Sequence, residues 1–336
     1  MRGWVPLLVV IAGCEPEAPL PAQRRVDTLL VRQTGAPNSL VGESLAGCST
    51  FSLVGAPGSN QVFKNTVPLS LPTLQGYGNA VACSLFGDTA VSAVDSHAIV
   101  TSFGVLDAGE FVAPGLSLSM SRASSLVWVA AGAPKENCLV GTCSGAVAVW
   151  QLSLDGGVLL SASFRGGPGE GLGTSVSTGR FSVGQMQVAV AAPGATSPRL
   201  INVRGAGTTG IDAIAHAIMA VSSVAFATIG GHIELVVGVP SNSRAFGLVE
   251  NGAQHLPSAT AMQCPPDSGV GVQLTVFDWD GDGNDDVFMS NPDVNVVAVG
   301  LSSRAYTCEF LPVPVAFRAP GNRFGQSMAA SASVLP

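Results

Sequence analysis

The feature that most constrains this chain is a short pattern that keeps returning. APNSLVGESLAG (36–47) and APGNRFGQSMAA (319–330) share a proline, a glycine five residues later, and then Ser-Leu/Met-Ala. GPGEGLGTSVST (167–178) and PDSGVGVQL (266–274) fit the same frame, with Gly173 and Gly271 in the glycine slot. YGNAVAC (77–83) carries it on Gly78, and two weaker copies put Ser117 and His216 in the slot. Most starts are followed by an apolar run that ends in a turn: LVGAPG (53–58), AAGAPK (130–135), VAAPGA (190–195), VVGVPS (236–241) and FMSNPD (288–293). The stretch IVTSFG (99–104) is a degraded version.

The seven starts, at 42, 78, 117, 173, 216, 271 and 325, are 36 to 56 residues apart. A unit of that size holds about four short strands, the content of one β-propeller blade. One blade cannot bury both of its faces, whereas blades stacked in a ring can. The third unit shows the pattern best: SLVWVAAGAP and GAVAVWQLSL run apolar between Gly, Pro and Asp turns. The expected fold is therefore all-β, a seven-bladed β-propeller over residues 26–336 whose last blade is incomplete.

The Gly-Ala-Pro turns, the literal Phe324-Gly325 and an Asp-rich loop in the sixth unit resemble FG-GAP repeats, which build the propellers of integrin α-subunits. The resemblance implies a calcium loop between two strands, a role in binding or adhesion, and an N-terminal strand that completes the final blade. VDTLLVRQ (26–33) is the candidate for that strand.

The Asp-rich loop is DWDGDGNDD (278–286). Carboxylates at alternate positions in a tight loop, Asp278, Asp280 and Asp282, turn toward one centre, with Asp286 at position nine and the carbonyl of Asn284 as a further oxygen. Hard anionic oxygen ligands suit Ca2+. Four carboxylates this close also repel one another unless a cation offsets them. An EF-hand would need a bidentate Glu where Met289 stands, so a hairpin loop is expected instead. The plainer alternative is a solvated Asp/Gly turn. No other repeat begins an Asp triad at the matching place, so one Ca2+ site is expected.

MRGWVPLLVVIAGC opens the chain with a positive residue, a short apolar stretch and small residues before Cys14. That is the layout of a secretory signal. Because the cysteine follows Ile-Ala-Gly, it resembles a lipoprotein lipidation site. Residues 1–13 are thus expected to be a signal peptide and 14–25 a lipidated Cys14 with a Pro-rich tether. The cell surface or outer membrane is the expected location. Six further cysteines suit an oxidising compartment. Cys138 and Cys143 share one loop and form the first expected pair. Cys48–Cys83 and Cys264–Cys308 are one assignment of the rest, because connectivity does not follow from sequence.

Only 11% of residues are charged and the net charge is −7, which leaves no basic patch for nucleic acid. The four histidines fall in no common motif and no nucleophile elbow is present, so no catalytic residue is expected and the chain is expected not to be an enzyme. The resulting expectation is a lipid-anchored, calcium-stabilised scaffold that binds a protein or carbohydrate. The alternatives are a polysaccharide lyase or hydrolase with its site in the propeller channel, and a purely structural envelope protein.

Overall fold

The computed structural model describes residues 10–11, 43–311, 327–328 and 330–331. Within the long stretch it leaves out 49, 66, 71–72, 110–113, 137, 140–141, 180–185, 196–197, 205–207, 214–219 and 252–253. Strand β1 (Val10–Ile11) comes first and pairs far along the chain. Six four-stranded antiparallel sheets follow in chain order. Blade 1 is β2 (Ser44–Gly47), β3 (Ser52–Ala56), β4 (Gln61–Lys64) and β5 (Val67–Ser70). Blade 2 is β6 (Tyr77–Cys83), β7 (Thr89–Ala93), β8 (Ala98–Thr101) and β9 (Gly104–Asp107). Blade 3 has β10 (Ser117–Ala123) and β11 (Leu126–Ala133), then a small ribbon of β12 (Cys138–Leu139) and β13 (Thr142–Cys143), then β14 (Ala146–Ser153) and β15 (Val158–Arg165). Blade 4 is β16 (Val176–Gly179), β17 (Met186–Val190), β18 (Arg199–Arg204) and β19 (Thr208–Ala213). Blade 5 is β20 (Ser223–Ile229), β21 (His232–Val239), β22 (Arg244–Asn251) and β23 (Gln254–Gln263). Blade 6 is β24 (Gln273–Phe277), β25 (Asp286–Asn291), β26 (Val296–Gly300) and β27 (Cys308–Phe310).

The first strands of successive blades, β2, β6, β10, β16, β20 and β24, lie side by side as the inner wall of a β-propeller. Strand β28 (Ala330–Ser331) touches both β24 and β2, and it pairs in parallel with β1. Seven blades were expected. The described residues form six, because only the two-residue β28 stands where a seventh would lie. Residues 26–33, the expected closing strand, lie outside the described residues, as does most of the seventh repeat start.

The core is divided among the blade interfaces. Within a blade, the second and third strands are covered on both sides by neighbours, so their sequences read as unbroken apolar runs. LVWVAAGA of β11 and AVAVWQLS of β14 are buried almost throughout, whereas VLLSASFR of the outermost β15 alternates with solvent. One apolar cluster joins Ile99 and Leu106 of blade 2 to Met120 and Val129 of blade 3. The next joins Val147 and Val149 to Val188 and Ile201 of blade 4. Clusters of the same kind fill interfaces 4/5, 5/6 and 1/2. The outer flank of blade 1 carries only Val54 and Ala56 as buried members, with Leu45 and Phe63 against them.

The two glycine signatures of the repeat meet across these interfaces. Ser44 Oγ donates to the carbonyl of Gly78 at 3.0 Å, Ser117 to Gly173 at 2.7 Å and Ser223 to Gly271 at 2.9 Å. Opposite each serine stands the glycine of the Gly-Ala-Pro or Gly-Val-Pro turn: Gly55, Gly132 and Gly238. A Cβ at Gly132 would lie 2.0 Å from the Gly173 oxygen and 2.3 Å from Ser117 Oγ, so only glycine fits. Register also corrects the two weak repeat copies. Ser117 and Ser223 occupy the place of Ser44, so the slot two residues earlier holds Gly115 and Val221, not Ser117 and His216.

Candidate metal centre

Sequence singled out residues 278–286, and the structure places them in the turn between β24 and β25. Gly281 and Gly283 adopt φ of 75° and 89°, which lets the backbone curl over Asp278. Asp278 accepts hydrogen bonds from the backbone N–H groups of Gly281 (2.7 Å), Asp282 (3.1 Å) and Gly283 (3.0 Å). Asp286, the first residue of β25, is fully buried. Its carboxylate accepts from Trp279 N at 2.8 Å, Asp280 N at 3.3 Å and Ser302 N at 2.7 Å. The loop is thus wound around two carboxylates, one at each end.

Asp278, Asp280 and Asp286 each offer an oxygen to one centre, all within 4.8 Å of one another. The two remaining expected residues also carry hydrogen bonds. Asp282 accepts from Ser302 Oγ at 2.7 Å and from Asn284 N at 2.8 Å, while the Asn284 side-chain oxygen accepts from Gly230 N at 2.6 Å. Ser303 Oγ donates to Asp280. The loop is also tied to the neighbouring blade. Asp285 accepts from Thr228 N at 2.6 Å and its own N–H donates to Thr228 O at 2.7 Å, so the β20–β21 hairpin tip of blade 5 is clasped. Ser302, Ser303 and Thr228 carry no motif of their own, and only contact reveals them. The one available signal was the serine pair between two blade-6 strands.

Electrostatics favour a cation here. Burial holds the Asp285 and Asp286 carboxyls above the ordinary range, against the hydrogen bonds from Thr228 and Ser302 and with help from Asp278 and Asp280 respectively. For Asp282, burial pushes upward, but the Ser302 hydroxyl and the Asn284 amide prevail and lower it. Burial also raises the nearby Tyr306 phenol, and the charges of Asp286, Glu234, Asp282 and Asp285 add to it. Among the described residues, the ion pairs Arg122–Asp88, Arg165–Glu136, Arg199–Glu170 and Arg304–Glu309 all lie outside the loop. An all-oxygen set with one wholly buried carboxylate therefore fits a hard divalent cation, and Ca2+ in particular tolerates the irregular geometry.

The other expected residues fall as follows. Disulfides join Cys48 to Cys83, Cys138 to Cys143 and Cys264 to Cys308. Trp128 and Trp150 are buried in strand packing. His97 sits in a turn with Nδ1 3.2 Å from Gly109 O, and His232 lies at a hairpin tip. Cys14 and His216 lie outside the described residues.

No protein-family profile and no curated protein matches this sequence. Solved structures do share the fold. A catalytically inactive virginiamycin B lyase from Staphylococcus aureus, solved with quinupristin, aligns with a TM-score of 0.56 at 11% identity, over 83% of this chain and 87% of that one. A streptogramin B lyase aligns at 0.54 and 10% identity, over 84% and 85%. A candidate 6-phosphogluconolactonase from Bacteroides uniformis aligns at 0.53 and 12% identity, over 82% and 84%. At such identities the likeness shows the fold alone. It nonetheless overturns the expectation that the chain is not an enzyme: scaffolds of this shape carry enzyme names, so an all-β ring with scattered histidines is no argument against catalysis.

Proposed function

We propose that this chain is an exported, lipid-anchored β-propeller of FG-GAP type, in which one Ca2+ pins the sixth blade and the loops hold a protein or carbohydrate ligand. The observation that carries the reading is the convergence of Asp278, Asp280 and Asp286 in a hairpin that also clasps blade 5. A cation there would fix the loop and, through it, the 5/6 interface. It would do so without any chemistry on a substrate. Three disulfides are consistent with an oxidising compartment, where extracellular calcium is plentiful. Cys14 would provide the lipid attachment.

Thermal unfolding of the chain from residue 26 onward, in millimolar Ca2+ and in chelator, tests the reading. A rise in midpoint with Ca2+ that is absent from the Asp278→Ala/Asp280→Ala variant supports it. An unchanged midpoint at millimolar Ca2+ reduces the loop to a solvated turn. Enzymes share this fold, which supports a second reading, turnover of a bound ligand, with a polysaccharide as the candidate the sequence suggested. Incubation with a polysaccharide panel, read by new reducing ends and unsaturated products, tests that one directly.

A further inference from the structure

The five described interfaces between consecutive blades are not equivalent, and they alternate. Interfaces 1/2, 3/4 and 5/6 each carry the serine-to-glycine bond described above, with its opposing glycine. Two of these three, 1/2 and 5/6, are also crossed by a disulfide. Cys48–Cys83 links the inner strands of blades 1 and 2, and Cys264–Cys308 links blade 5 to blade 6. The third bond, Cys138–Cys143, lies within blade 3, and the loop it closes receives the entry to blade 4. There Cys143 O accepts from Gly171 N at 2.9 Å and Ser144 O from Leu172 N at 3.0 Å.

Interfaces 2/3 and 4/5 have apolar cores of the same kind but a thinner polar layer. Across 2/3 the Arg122–Asp88 pair stands at 3.5 Å, with Arg122 over the Phe86 ring. Across 4/5, Ser175 and Ser177 accept from Val224 N and Phe226 N at 3.3 Å each. The bonding residues alternate in the same way. Ser44, Ser117 and Ser223 in odd blades correspond to Ala80, Ser175 and Gln273 in even ones; among the described residues none of these donates to a glycine carbonyl of the next blade, and Ser175 only accepts from Val224 N.

We infer that the chain is assembled from three two-blade units, β2–β9, β10–β19 and β20–β27, the first and third stapled by a disulfide and the middle one held by hydrogen bonds, and that it opens at the seams between them. The inter-blade disulfides and the serine-to-glycine bonds fall inside units, so separating two units breaks apolar contact and only the few, longer polar links named above. Local opening follows the boundaries where few specific links cross. Reduction would loosen the units internally and leave the seams as they are.

Single-molecule stretching of the full disulfide-bonded chain tests this. Three extension events are expected, one per unit. The middle event is decisive, because it spans both blades of β10–β19 and its disulfide withholds a loop of only 5 residues, roughly 20 Å. In reducing buffer the count stays at three, while the first event lengthens by roughly 120 Å and the third by roughly 150 Å, the reach of their enclosed loops of 35 and 44 residues. A middle unit that extends in two single-blade events, or a ring that yields in one event, overturns the inference.

Discussion

Ser117 Oγ in blade 3 donates a 2.7 Å hydrogen bond to the carbonyl of Gly173 in blade 4, across 56 residues of sequence. The bond passes through the space that a side chain at Gly132 would occupy. Three residues from three strands thus make one contact, and the contact recurs at two other interfaces.

Gly132→Ala is expected to destabilise the protein more than Ser117→Ala. The alanine methyl would meet backbone oxygen at 2.0 Å, an overpacking cost of roughly 1–3 kcal/mol with the serine bond displaced as well. Loss of the serine bond alone costs about 0.5–1.5 kcal/mol. Gly167→Ala is the control, since its nearest neighbour is a Glu170 side-chain atom at 3.4 Å. Urea midpoints of the three variants should fall in that order, with Gly167→Ala near wild type.

The calcium effect should fade with acid. Metal-binding carboxylates must be ionised, and Asp286 is held above its usual range by burial, so protons compete for the site as pH falls from neutral toward that range. The difference in melting temperature between Ca2+ and chelator is expected to shrink steadily from pH 7 to pH 5. A constant difference over that interval would remove Asp286 from the site.

Both tyrosines of the chain, Tyr77 and Tyr306, have their phenols raised by burial, Tyr306 further by nearby carboxylates. The folded protein therefore keeps its phenolic protons where the unfolded chain releases them, at about pH 10. Stability from these groups is complete below that value and is lost as pH rises above it. Absorbance of phenolate near 295 nm should stay flat through pH 10 and appear only together with unfolding. A reversible titration centred on pH 10 in the folded protein would contradict the burial of both rings.

The disulfides should differ in worth. Loop-closure entropy assigns about 4 kcal/mol to a bond spanning 35 or 44 residues and about 2 kcal/mol to one spanning 5. Paired Cys→Ser variants are expected to lower the melting temperature most for Cys264–Cys308 and Cys48–Cys83, and least for Cys138–Cys143.

What could be read before the structure was whatever the chain encodes locally. β-Strands announced themselves by alternating or continuous apolar runs. The turns did so by Gly and Pro, and the acid loop by its spacing. Gly78, Gly173 and Gly271 stood out because their φ of 94°, 93° and 110° exclude most other residues. Gly115 was missed because Ser117 two residues on fits the Ser-Leu-Ser pattern equally well, and only pairing with β11 fixes the register. The bonds that Ser302 gives to Asp282 and that Gly230 gives to the Asn284 side chain come from the turn after β26 and from the β20–β21 hairpin tip. No spacing rule within the loop contains those partners. The described residues form six blades and not seven, and the seventh repeat start lies largely outside them.

Four blades make the same turn before their third strand with four residues in the left-handed region: Asn60, His97, Ser243 and Asn295, at φ of 51°, 53°, 51° and 56°. In the first three, the N–H of that residue closes the turn onto the carbonyl three residues earlier, at 3.1–3.2 Å. Backbone bonding, and not side-chain identity, specifies the corner. The side chains then add links of their own: Asn60 Oδ1 accepts from Gly76 N at 2.8 Å, and the wholly buried Ser243 donates to Pro266 O at 2.8 Å, so two of the corners also hold the entry to the next blade. His97 is the exposed member of the set, and it is the corner where mutation can explore new surface chemistry while the architecture stays under separate selection.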